Sequence, residues 1–210
     1  MRPHPAAAVS ALVLLLLAVG VTHTTATESF TANAVPGHNP ARVAVNGQAA
    51  DPPVQVSIRV EAWSTPADIR TLRSVLLTEN EDAVRDFLDG RAVGHVVSPV
   101  ARSWKILLAT QASTPKGRRV RLVTDHPLFL FASRVSHSAG VTQLDFSPPG
   151  MRTGLIEFSL EEGAEGQGVV RSSAWLTLHE DGHVAVRGSA NQANDHPLLR
   201  VRSWGEHKER

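Results

Sequence analysis

From Val54 the chain alternates strictly. Val54, Val56, Ile58 and Val60 fall on one face and Gln55, Ser57, Arg59 and Glu61 on the other, the two-residue period of a half-buried antiparallel strand. The period then changes. In Trp63-Ser64-Thr65-Pro66-Ala67-Asp68 a hydroxyl is placed to cap free amides, a proline takes the first helical position and an acid enters the first turn. Ile69, Leu72 and Leu76 follow at helical spacing. A second short helix has Asn80 as cap, Val84, Phe87 and Leu88 as buried stripe and Gly90 as stop. The pattern predicts helices near 66–77 and 81–89.

Beyond Gly90 the two-residue period returns, predicting strands over 93–97, 104–111, 118–124, 154–160, 169–178, 184–187 and 198–204. Thr114-Pro115-Lys116-Gly117 and Asp181-Gly182 read as hairpin turns, and 162–168 as a polar glycine-rich loop. The stretch 133–152 is the least regular, and Ser147-Pro148-Pro149-Gly150 does not fit inside a sheet. Residues 27–53, rich in Ala, Asn, Pro and Gly, read as an extended N-terminal segment or an edge strand. The expected class is α+β, mainly β: a single domain over 54–210 with a meandering antiparallel sheet (curled, barrel-like or sandwich) and a two-helix insertion after the first long strand.

The N-terminus carries an address. Arg2 precedes an apolar run from about Ala6 to Val21, shorter than a membrane-spanning helix needs, and Thr24-Thr25-Ala26 follows. We read 1–26 as a signal peptide cleaved after Ala26, which predicts a secreted or periplasmic protein without a membrane anchor after processing. The chain has no cysteine, so disulfides, thiol catalysis and a lipidated N-terminal cysteine are excluded. Its Lys+Arg total of 21 is set against Asp+Glu of 20, and Arg2 is the only charged side chain of the leader, so the processed chain is electrically balanced. That balance gives no reason to expect nucleic acid as a partner. The one basic cluster, Lys116, Arg118, Arg119 and Arg121, lacks interleaved aromatics and reads as a solvated hairpin end.

One motif looks like chemistry. His179-Glu180-Asp181-Gly182-His183 matches HExxH, which in zinc peptidases works because a helix puts both histidines on one face beside a glutamate base. Here Leu176-Thr177-Leu178 precedes it and Val184-Ala185-Val186 follows, both with strand period, around an Asp-Gly turn. A hairpin is the expected structure, with His179 and His183 as candidate ligands for an adventitious metal across the turn.

Asp-His-Pro-Leu occurs twice, at 125–128 and 195–198, and reads as two strand-edge turns with unlike flanks. Glu161 and Glu162 read as turn charges. No GxSxG elbow, dinucleotide fingerprint or phosphate loop is present, so no catalytic residue and no cofactor is assigned. Trp63, Trp104, Trp175 and Trp204 are expected to pack in the core or at sheet edges. A sugar platform would need several aromatics on one face, and the chain has no tyrosine.

Glu28-Ser29-Phe30-Thr31-Ala32, Val60-Glu61-Ala62-Trp63-Ser64-Thr65 and Gly154-Leu155-Ile156-Glu157-Phe158-Ser159-Leu160, with Gly166 to Gly168 and Leu199-Arg200-Val201, resemble an uncharacterised family of secreted bacterial proteins. The resemblance covers nearly the whole processed chain. It implies an exported domain with no assigned activity, cofactor or functional residues, and an ordinary charged turn at 179–183. The function expected from sequence is therefore non-catalytic: binding of a protein or small ligand in the bacterial envelope or outside the cell. The alternatives are a metal-assisted or serine-type hydrolase, and a structural envelope protein.

Overall fold

In the computed structural model, residues 27–36, 52–99, 102–131, 146–147, 150–178, 184–188 and 195–204 are described. Strands β1 (Glu28–Ala34) and β2 (Val54–Val60) precede helices α1 (Pro66–Leu77) and α2 (Glu81–Asp89). After them come β3 (Gly94–Ser98), β4 (Arg102–Thr114), β5 (Gly117–Thr124), β6 (Phe146–Ser147), β7 (Gly150–Glu161), β8 (Gly166–Leu178), β9 (Val184–Gly188) and β10 (Asp195–Trp204).

Every pairing among the described strands is antiparallel. The order β7-β5-β4-β3-β2-β1-β10-β8 is closed by β7 pairing with β8, which makes an eight-stranded barrel. The short β6 hangs on β7, and β9 pairs with β8 outside the ring. The α+β, mainly β class holds, in its barrel form. β1 is no edge strand: it bonds to β2 on one side and to β10 on the other. Its inward face is Phe30 followed by the small Ala32 and Ala34, which is why its alternation is faint in the sequence.

The helices start where local chemistry requires. Asp68 N–H donates to Thr65 Oγ1 at 3.3 Å while the Asp68 carboxylate accepts from Thr65 N–H at 2.7 Å, a reciprocal capping box. At α2, Asn80 Oδ1 accepts from Asp82 N–H at 2.9 Å. Together the helices bury Leu72, Leu76, Val84 and Leu88 against Leu107, Val123, Leu155 and Leu176 on the outside of the barrel. This outer core is separate from the barrel interior.

The interior is filled by side chains. Phe30, Ile58, Trp104, Leu122, Ile156 and Phe158 pack there, with Phe30 and Phe158 edge to face at 5.1 Å between ring centroids. Glycine makes the space: a Cβ on Gly168 would stand 2.5 Å from the Cβ of Phe158, and one on Gly166 2.8 Å from Leu160 Cδ2. These two residues, expected in a loop, therefore belong to β8 and face inward opposite bulky partners.

Both mouths are closed. At one, Trp104 Nε1 donates to Pro127 O at 3.0 Å and Leu128 N–H to Ser172 O at 2.8 Å, so Leu128 and Leu130 plug the opening. At the other, Arg118 reaches in over the Phe30 ring, pairs with Glu28 and donates to Gln111 Oε1 at 2.9 Å. Arg118 is thus not a solvated turn charge. It shares the inward parity of Val120 and Leu122.

Candidate functional site

The outer faces of the barrel differ. Over β4, β5, β7 and β8 the helices lie on apolar residues, whereas β10, β1, β2 and β3 present polar side chains outward. Register aligns these across the strands: Trp204 is opposite Ser29, Ser29 opposite Arg59, and Arg59 opposite His95, one rung over four neighbouring strands. The next rung runs Arg202, Thr31, Ser57, Val97. Between them lies a groove of about 360 Å³ whose polar lining is Ser29, Thr31, Ser57, Arg59 and His95, with Trp204 and Val97 among its apolar members.

Trp204 reaches this face because β10 contains a bulge. Leu198 is opposite Gly168 and Val201 opposite Gly166, so β10 holds one residue more than its neighbour. Arg200 takes it up with φ of 54°, a left-handed conformation uncommon for a residue with a side chain. The bulge lets both Leu198 and Val201 point inward and turns Trp204 outward. The residue is 63% exposed, and Nε1 donates to Thr31 Oγ1 at 3.1 Å. The ring is therefore fixed at its edge while much of its surface stays open.

Across β1 from the indole, Glu61 lies between two bases: its Oε1 is 3.7 Å from Arg59 Nε and 3.8 Å from His95 Nδ1. Both separations exceed a hydrogen bond. All three side chains are substantially exposed.

A second polar array crosses β5, β7, β8 and β10. Arg121 Nε donates to Glu157 Oε1 at 2.8 Å, Arg171 pairs with the other Glu157 oxygen, and Arg171 Nε lies 3.5 Å from Asp195. Burial works to raise the Glu157 carboxyl, but the hydrogen bonds and charges of the two arginines outweigh it and hold its pKa below the ordinary value. For Asp195 burial prevails over Arg171 and its pKa is raised. This array braces the barrel wall.

The residues singled out in the sequence are dispersed. His179 and His183 lie outside the described residues; the strands on either side pair antiparallel, with Leu178 opposite Val184. The first Asp-His-Pro-Leu holds an acid–imidazole contact, His126 Nδ1 2.7 Å from Asp125 Oδ1, at the plugged mouth. In the second, Asp195 faces Arg171 and the His196 ring meets Phe131 at 4.7 Å between centroids, tilted by 59°, where burial lowers its pKa. Of the basic cluster, Arg118 and Arg121 are held by Glu28 and Glu157.

Trp104 is buried, Trp63 packs against the interior, and Trp175 is partly buried between Arg152 and Arg187 on the flanking strands. Trp204 alone of the four departs from the packing expectation. Among the described residues, no group of three or more His, Asp or Glu is arranged to hold a metal. No protein-family model, curated protein or solved structure matches the chain.

Proposed function

We propose that this protein is an exported, non-catalytic binding domain whose partner docks on the outer face of β10-β1-β2-β3 and not inside the barrel. The carrying observation is the contrast between a filled interior and an indole held open outside it. A barrel that carries a small apolar ligand keeps a lined cavity, whereas here Phe30, Trp104 and Phe158 occupy that volume. Exposed tryptophan and arginine on one rung are the residue types that concentrate binding energy at interfaces.

Export through the leader, with cleavage after Ala26, belongs to the same reading. Glu28, which opens β1, follows that point closely and is paired with Arg118. A metal-assisted hydrolase would rest on 179–183, which lie outside the described residues.

Hydroxyl-radical footprinting tests this without knowledge of the partner. When a bacterial envelope fraction is added, oxidation of Trp204 and the 29–31 and 57–59 peptides is expected to fall while Trp104 stays unchanged. Protection confined to other surfaces, or none at all, overturns the proposal.

A further inference from the structure

The groove beside Trp204 has a chemistry of its own, and its reading rests on the binding face proposed above. Its wall combines three kinds of group. The indole offers an apolar plane whose edge is anchored to Thr31. Ser29, Thr31 and Ser57 bring hydroxyl side chains to the same two rungs. Arg59 lines the groove as a planar donor beside the apolar Val97, and Glu61, outside the lining, places a planar acceptor 3.7 Å from it without a hydrogen bond between them.

Adjacent strands lie about 4.8 Å apart, so the guanidinium strand is roughly 10 Å from the indole strand and the His95 strand roughly 14 Å. A groove of about 360 Å³ is at the small end of ligand sites. It suits a few linked rings better than a folded protein surface.

The partner chemistry follows from these groups. Vicinal hydroxyls each donate and accept, so they need donors and acceptors side by side, as Arg59 and Glu61 provide. The axial C–H face of a pyranose is apolar and seats on an indole. The charge of Arg59 is offset by Glu61, 3.7 Å away at the edge of the groove, so an anionic ligand gains little net attraction over an uncharged one. We infer that this groove binds an uncharged oligosaccharide, with one ring stacked on Trp204 and the next ring's hydroxyls shared between Arg59 and Glu61. A row of aromatics is unnecessary for so short a ligand, because a single anchored plane fixes one ring and the polar pair fixes its neighbour. The strained bulge at Arg200 fits this role, since it is what turns the indole out of the barrel.

Isothermal titration of the full chain, recovered after export by a bacterial host, with maltotetraose, cellotetraose, chitotetraose and tetragalacturonate tests the inference. At least one uncharged tetrasaccharide should bind saturably and more tightly than tetragalacturonate. Trp204→Ala and Arg59→Ala should each weaken it about tenfold or more, with Trp204→Phe retaining part of the affinity and all three variants melting like the parent. Absence of binding to all three uncharged sugars, preference for tetragalacturonate, or binding untouched by both alanine substitutions overturns it. If the sugars fail while envelope footprinting still protects the 29–31 and 57–59 peptides, the ligand class is wrong and the binding face stands. Failure of both removes the face as well.

Discussion

Glu157 serves two guanidinium groups at once, and this sets a sign on the pH dependence of stability. Its pKa is held down in the folded state by Arg121 and Arg171 against the opposing pull of burial. Its stabilising effect is therefore present above the ordinary carboxylate pKa and fades as pH falls through the lower, folded value. Glu157→Gln should cost about 1.5–3 kcal/mol near neutral pH, with the difference from the parent shrinking in acid, as denaturant melts across pH will register. Asp195 has the opposite sign. Its carboxyl is raised by burial, which outweighs the lowering pull of Arg171, so its ionised form is a burden at neutral pH that protonation relieves. Asp195→Asn should raise the neutral-pH midpoint in the same melts and lose that gain in acid.

The sequence displayed each of these side chains but not their neighbours. Arg121, Glu157 and Arg171 are separated along the chain, and only the order β5-β7-β8 brings them together. Arg118 was legible in principle, since it shares parity with Val120 and Leu122, but its charge suggested solvent.

At the scale of elements, what is local is what reads well. The capping groups Thr65, Asp68 and Asn80 act within three residues of themselves, so both helices are visible without any tertiary knowledge. The glycines of β8 are the reverse case, because their absence of side chains answers the close approach of β7, first its carbonyl oxygens and then its side chains. Gly168→Ala places a Cβ 2.1 Å from Glu157 O and 2.5 Å from Phe158 Cβ, an overlap that repacking cannot absorb at the backbone end. It should destabilise by about 1–3 kcal/mol in equilibrium unfolding. Gly90→Ala is the internal control, since its added methyl meets nothing nearer than 3.6 Å and should leave the midpoint close to the parent.

The bulge in β10 was hidden for a related reason. Arg200 in a left-handed conformation leaves no compositional mark, so simple alternation sends Trp204 inward with Leu198. The candidate site depends on that one irregularity, which explains why the sequence offered HEDGH and not the indole.

For the molecule as a whole, the sequence identified strands and hairpins but left barrel and sandwich equal. The deciding contacts are β1 with β10 and β5 with β7, between segments far apart in the chain, and neither carries a turn signal. Pairing of the first and last described strands has a mechanical consequence. Ser29 lies directly opposite Trp204, so the outer ends of β1 and β10 emerge side by side at one mouth. Force applied through these ends loads the ladder one hydrogen bond at a time, as a zipper is opened. Handles at Glu28 and Asp195 instead pull along the strands and load the bonds together. The cysteine-free chain allows both attachments by introduced thiols. Single-molecule pulling should show the barrel opening at clearly lower force from positions 28 and 204 than from 28 and 195, and equal forces would contradict it. A wall that resists spreading along its strands yet parts easily at its seam gives this barrel a built-in place to tear, and tearing there bares two unpaired strand edges at once.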